Sequence, residues 1–111
     1  MKDLKVVFMG TPDFAVPILE SLIEYTSVVM VVTQPDKMVG RNHDMVYSPV
    51  KKLALAHDIL VFQPSKIREE YEEILHVEAD IIITCAYGQI IPEVLLNYPR
   101  LGCINVHASL L

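Results

Sequence analysis

Residues 4–9 form a short, nearly all-apolar run that stops at Gly10, and similar runs recur at residues 28–33, 60–62, 80–85 and 102–107. A run of this length and composition reads as a strand covered on both faces. Helical patterns fill the gaps between the runs. Thr11 or Asp13 can cap a helix that Pro17 must enter in its first turn. Ile18, Leu19, Leu22 and Ile23 then repeat at helical spacing up to about Tyr25. Residues 51–57 and 92–97 read as short helices. Residues 66–75 read as a charged surface helix with Ile67, Tyr71, Ile74 and Leu75 facing inward. Residues 34–49, with Pro35, Gly40 and Pro49, read as one long connection, a length that usually serves function. Strands alternating with helices predict an α/β fold with a mostly parallel five-stranded sheet and helices on both faces.

Several function classes are excluded early. The chain of 111 residues carries a formal net charge of −5, which disfavours non-specific nucleic-acid binding except through a local basic patch. Cys85 and Cys103 have no metal or disulfide spacing and suit a reducing cytosol. The apolar run before Gly10 is too short for a signal peptide or membrane span, so a cytoplasmic protein without membrane contact is expected. The sequence stops on Leu110 and Leu111 with no cap or charged tail, so a longer parent chain is expected.

Ligands of such sheets bind beyond the carboxyl ends of the strands. The last run, Cys103-Ile104-Asn105-Val106-His107, places Cys103, Asn105 and His107 on one face of a strand there. A neutral amide can donate to an oxyanion and an imidazole can move a proton near neutral pH, which is what acyl transfer needs. The same pair also fits two satisfied polar residues at a strand end. Nicotinamide or flavin binding is disfavoured. The first turn, Gly10-Thr11-Pro12-Asp13, has one glycine where the fingerprint needs three, and Asp36 lies beyond Pro35 rather than at a strand end. Cys85 with His107 offers a thiol and a base, although no orienting third group is evident. His43, His57 and His76 have no metal spacing, and no metal site is expected. Tyr87-Gly88-Gln89-Ile90-Ile91-Pro92 reads either as an ordinary loop or as a wall for a flat, partly apolar ring.

Seven segments together carry a family resemblance: Gly10-Thr11-Pro12-Asp13-Phe14-Ala15, Thr33-Gln34-Pro35-Asp36-Lys37, Val39-Gly40-Arg41, Ser48-Pro49-Val50-Lys51, Val61-Phe62-Gln63-Pro64, Ala86-Tyr87-Gly88-Gln89-Ile90-Ile91-Pro92 and the end from Gly102 to Leu111. In this order they resemble the methionyl-tRNA formyltransferases within the 10-formyltetrahydrofolate-dependent formyltransferase family. The Asn-x-His followed by Ser-Leu-Leu is similar to the wider class. The Thr-Pro-Asp-Phe turn and the Gln-Pro-Asp-Lys to Ser-Pro-Val-Lys loop are similar to the tRNA-directed member.

The resemblance implies a Rossmann-like sheet and formyl transfer from 10-formyltetrahydrofolate to the α-amine of initiator methionyl-tRNA. It implies Asn105 as oxyanion donor and His107 as the polarising or proton-moving group. It implies Tyr87, Gly88, Gln89, Ile90 and Ile91, with Ser109, Leu110 and Leu111, as the folate-binding set. Arg41 is implied as a tRNA contact, although Asn42-His43-Asp44 replace the glycine and lysines usual in relatives and weaken the basic patch. Residues 1–111 would then be the N-terminal part of the catalytic domain, without its later aspartate and without the C-terminal tRNA-binding domain. Such a piece is expected to be inactive and to self-associate, and the whole enzyme to be a monomer. Two rivals remain: a folate-dependent formyltransferase for a small amine, which has no need of the long loop, and a non-catalytic nucleotide-binding module.

Overall fold

A computed structural model describes residues 2–107. Strand β1 (Lys5–Gly10) is the centre of a five-stranded sheet, and four of its six residues are apolar and fully buried. β2 (Ser27–Val32) lies on one side of it and β6 (Ile81–Cys85) on the other, with β5 (Val61–Phe62) and β7 (Cys103–Asn105) outermost. All four pairings are parallel. The alternating side chains of β1 feed two cores. Val7 and Met9 pack with Met30, Val32, Ile74 and Leu95 on one face, and Phe8 packs with Leu19, Val31, Val50 and Ala54 on the other. Leu19 belongs to α1 (Val16–Tyr25), and Val50 and Ala54 to α2 (Pro49–Ala56). Ile74 belongs to α3 (Glu72–Leu75) and Leu95 to α4 (Glu93–Asn97). Helices therefore cover both faces, as expected. Among the described residues, no helix is long and apolar enough to cross a membrane.

Two expectations need correction. The segment 34–49 is not a featureless connection. It contains an antiparallel hairpin of β3 (Lys37–Val39) and β4 (Asp44–Val46), with Met38 opposite Met45. Gly40 and His43 take positive φ in its turn, and His43 N donates to Gly40 O at 3.3 Å. Nor is 66–75 one helix. A turn at 66–70 is separated from α3 by Tyr71, whose φ of −120° leaves the helical ladder. Tertiary hydrogen bonds win here: Ile67 N donates to the side chain of Gln89, and Ser65 O accepts from it. The inward residues are still those expected, with Ile67 and Ile74 fully buried.

The sheet is clamped at both ends. At its amino-terminal end, Asp80 accepts from Lys5 N at 2.8 Å and from Arg100 Nε at 2.9 Å, which together hold its carboxyl below the usual carboxylate range. At the carboxyl end, β1 and β6 approach so closely at Gly10 that a Cβ there would lie 2.8 Å from Cys85 O and 2.8 Å from the Phe8 ring. Gly10→Ala is expected to destabilise the protein by about 1–3 kcal/mol, the usual range for overpacking a tight core. Denaturant unfolding of the full-length protein checks this, and an unchanged midpoint would show that the strands yield without strain.

Candidate active site

The chain leaves β1 towards β2 on one side, and β6 lies on the other side of β1. The strand order therefore switches at the carboxyl ends of β1 and β6, where a parallel sheet opens a crevice. A cleft of about 640 Å³ lies at that edge of the sheet, reaching across β6 to β7. Thr84 and Ala86 form its floor, with Asn105 and His107 on the β7 side and Phe14, Tyr87 and Ile91 as apolar wall.

Asn105 ends the edge strand β7, and His107 follows two residues on, so extended backbone presents both to the cleft. Both are exposed rather than buried. Thr84, paired with Asn105 across β6 and β7, donates its hydroxyl to Asn105 Oδ1 at 3.0 Å. That contact fixes the amide with Nδ2 free to donate, 3.4 Å from His107 Nε2. The site thus holds an oriented neutral donor beside an imidazole.

The cleft wall after β6 is pinned from several directions. Ala86 and Gly88 have positive φ. Thr11 Oγ1 donates to Tyr87 O at 3.0 Å and accepts from Gln34 N at 3.2 Å, joining the turn after β1 to the ends of β2 and β6. Gln89 Nε2 donates to Gln34 Oε1 at 2.8 Å. A Cβ on Gly88 would come within 2.6 Å of Gln34 Nε2, so glycine permits this close crossing as well as the φ of 102°. The Tyr87 ring is buried in the core, and desolvation, aided by the charge of Glu70, pushes its phenol up to about 12. Tyr87 is therefore a neutral wall, not an acid or base at physiological pH.

Of the residues implied for folate, Tyr87, Gln89 and Ile91 line the cleft, and Gly88 shapes the loop between them. Ile90 departs from that set: it is 91% exposed and borders a separate depression with Lys66 and Arg68. Ser109, Leu110 and Leu111 lie outside the described residues. Arg41 is exposed in the hairpin turn. Cys85 is fully buried among Phe8, Ala15 and Leu19, and burial pushes its thiol up, which removes it as a nucleophile for His107. Burial likewise raises the Cys103 thiol. Among the described residues, no three His, Cys, Asp or Glu side chains gather into a metal-binding group.

Sequence reasoning passed over Thr11, Gln34, Gln63, Thr84, Asp36 and Lys51 as site-building residues. The last two form an ion pair of 2.8 Å with little solvent contact. The proline-flanked Gln34-Pro35-Asp36 was the available signal, because Pro35 forces an extended path that carries Asp36 away from β2.

Comparison with known proteins follows the same residues. The chain is 60% identical over 111 residues to a methionyl-tRNA formyltransferase of Bacillus cytotoxicus, covering 97% of this chain and 35% of the relative. It is 55% identical over 109 residues to a methionyl-tRNA formyltransferase of Staphylococcus epidermidis, covering 96% of this chain and 35% of the relative. It thus spans 35% of the length of these curated relatives. A family model described as formyl transferase matches residues 4–111, a span that takes in β1, the cleft wall and the Asn105–His107 strand end alike. The cleft therefore stands on a family framework, and the chain belongs to the formyl transferase family.

Proposed function

We propose that the full-length protein transfers the formyl group of 10-formyltetrahydrofolate to the α-amine of methionyl-initiator tRNA, and that this chain supplies the N-terminal part of its catalytic domain. The observation that carries the reading is the oriented Asn105 amide beside His107 in an apolar-walled cleft. The amine nitrogen attacks the formyl carbon, the C–N10 bond breaks, and the amine proton ends on the leaving tetrahydrofolate. Asn105 Nδ2 donates to the oxygen that becomes negative, and His107 carries the proton. Phe14 and Ile91 give a flat ring the apolar face it needs, with Tyr87 buried behind them, and Gln89 is committed to holding the loop. The chain spans 35% of the relatives' length, and the proposal assigns the remaining catalytic groups and the principal tRNA-binding domain to the rest of the full-length protein.

The exposed hairpin favours a macromolecular amine over a small one. Its turn carries Arg41, the cation proposed to meet the tRNA backbone. Arg41→Ala should raise the tRNA KM roughly fivefold, the worth of a single exposed charge contact of about 1 kcal/mol. The folate KM should stay unchanged. Steady-state formylation by the full-length protein, with tRNA and folate varied separately, tests both statements. A selective folate defect would move Arg41 to the cosubstrate site. Formylation of small amines but not of methionyl-tRNA would favour the rival small-amine reading.

A further inference from the structure

Lys51 is placed where a lysine is costly. It is the third residue of α2, near the positive end of the helix dipole, and its side chain is only 11% exposed. A cation there needs partners, and it has two. Its Nζ lies 2.8 Å from Asp36 Oδ2 and 3.7 Å from the centroid of the Tyr47 ring. Asp36 is the residue immediately before β3, and Tyr47 the one immediately after β4. One ammonium therefore grips both legs of the hairpin, the first by an ion pair and the second by a cation–π contact.

The hairpin has little else to fix its direction. All six residues of β3 and β4 are exposed, so no buried side chain of these strands anchors them to the domain. A two-stranded ribbon without a packed face is marginal by itself. The base beneath it is well fastened. Gln63 Nε2 donates to Asp36 Oδ1 at 2.8 Å and to Gln34 O at 3.2 Å, and the Gln34 side chain accepts from Gln89 in the cleft wall. The contacts of Lys51 and then Gln63 hold the Asp36 carboxyl below its usual range, so it stays charged at neutral pH.

We propose that Lys51 is a positioning residue that clasps Asp36 and Tyr47 together, setting the pose of the hairpin 37–46 relative to the cleft. Its consequence for tRNA rests on the function proposed above; the clasp itself does not. Removing the clasp frees the hairpin to sample open poses and leaves the cleft wall in place, because Thr11, Ser65 and Ile67 still hold Gln34 and Gln89.

The test uses the full-length protein with Lys51→Met, Lys51→Arg, Tyr47→Leu and Tyr47→Phe. Two readouts are taken: the rate of tryptic cleavage after Arg41, and the separate KM values for methionyl-tRNA and folate. Lys51→Met should speed cleavage about tenfold, since proteolysis of a locally opened segment follows its open population. It should raise the tRNA KM by a similar factor and leave the folate KM within about twofold, as expected of a residue whose ammonium contacts the hairpin legs and is not among the residues lining the cleft. Tyr47→Leu should move both readouts in the same direction, less far. Lys51→Arg and Tyr47→Phe keep the cation and the ring, and should stay near the parent protein. Tyr47 is partly exposed, so its variants remain informative if Lys51→Met fails to fold. Unchanged cleavage in Lys51→Met and Tyr47→Leu overturns the clasp, as does a folate KM that rises in step with the tRNA KM. If the parent protein transfers no formyl group, the function reading fails, and the cleavage rates still decide the clasp.

Discussion

His107→Ala in the full-length enzyme should lower kcat by about 10²–10⁴, the usual worth of a positioned acid–base group. In the proposed transfer the attacking amine must shed a proton, and the leaving nitrogen of the folate must gain one. Among the described residues lining the cleft, His107 is the side chain suited to carry it near neutral pH. Burial has raised the Cys103 thiol and pushed the Tyr87 phenol to about 12, which takes both out of the exchange. His107 is exposed at the end of β7, so its removal leaves no buried cavity and should not disturb folding. The defect should therefore fall on kcat with both KM values nearly unchanged. Turnover near the parent value at saturating substrates would remove His107 from the chemistry.

Asn105→Ala should cost about 10²–10³ in kcat, the measured scale for losing one oxyanion donor. The geometry makes the donor assignment specific. Thr84 Oγ1 occupies Asn105 Oδ1, so the Nδ2 end faces the cleft beside His107. Asn105→Asp should be at least as damaging, because a carboxylate of similar shape offers an acceptor and a charge where a donor is required. An active Asn105→Asp enzyme would mean that the amide shapes the cleft and does not meet developing charge.

What could be read from the residues alone follows a physical division. The strands of the sheet were legible because buried β-branched runs such as Val6–Val7 and Ile81–Ile82 have few other ways to fold. The placement of Asn105 and His107 together at the cleft was legible because two polar side chains share one face at a strand end. The hairpin was not legible, since neither of its strands buries a face and so leaves no alternation to detect. The helix expected at 66–75 broke because Gln89, over twenty residues away, takes the backbone N–H of Ile67. The same limit hid the supports of the site. Thr84 on Asn105, Gln34 on Gln89 and Lys51 on Asp36 are contacts between separate strand ends and loops, and no local period records them. A lysine on a short helix reads as solvated until the fold brings a carboxylate and a ring against it.

The proposed function requires that the formyl group be delivered between Asn105 and His107, at the carboxyl edge of β6 and β7. A crystal structure of the full-length protein with a non-transferring 10-formylfolate analogue tests it most directly. The ring of the analogue should lie against Ile91 and the loop that Tyr87 anchors, with its formyl oxygen at a hydrogen-bond distance of about 2.7–3.2 Å from Asn105 Nδ2. A formyl group bound out of reach of both Asn105 and His107 would contradict it.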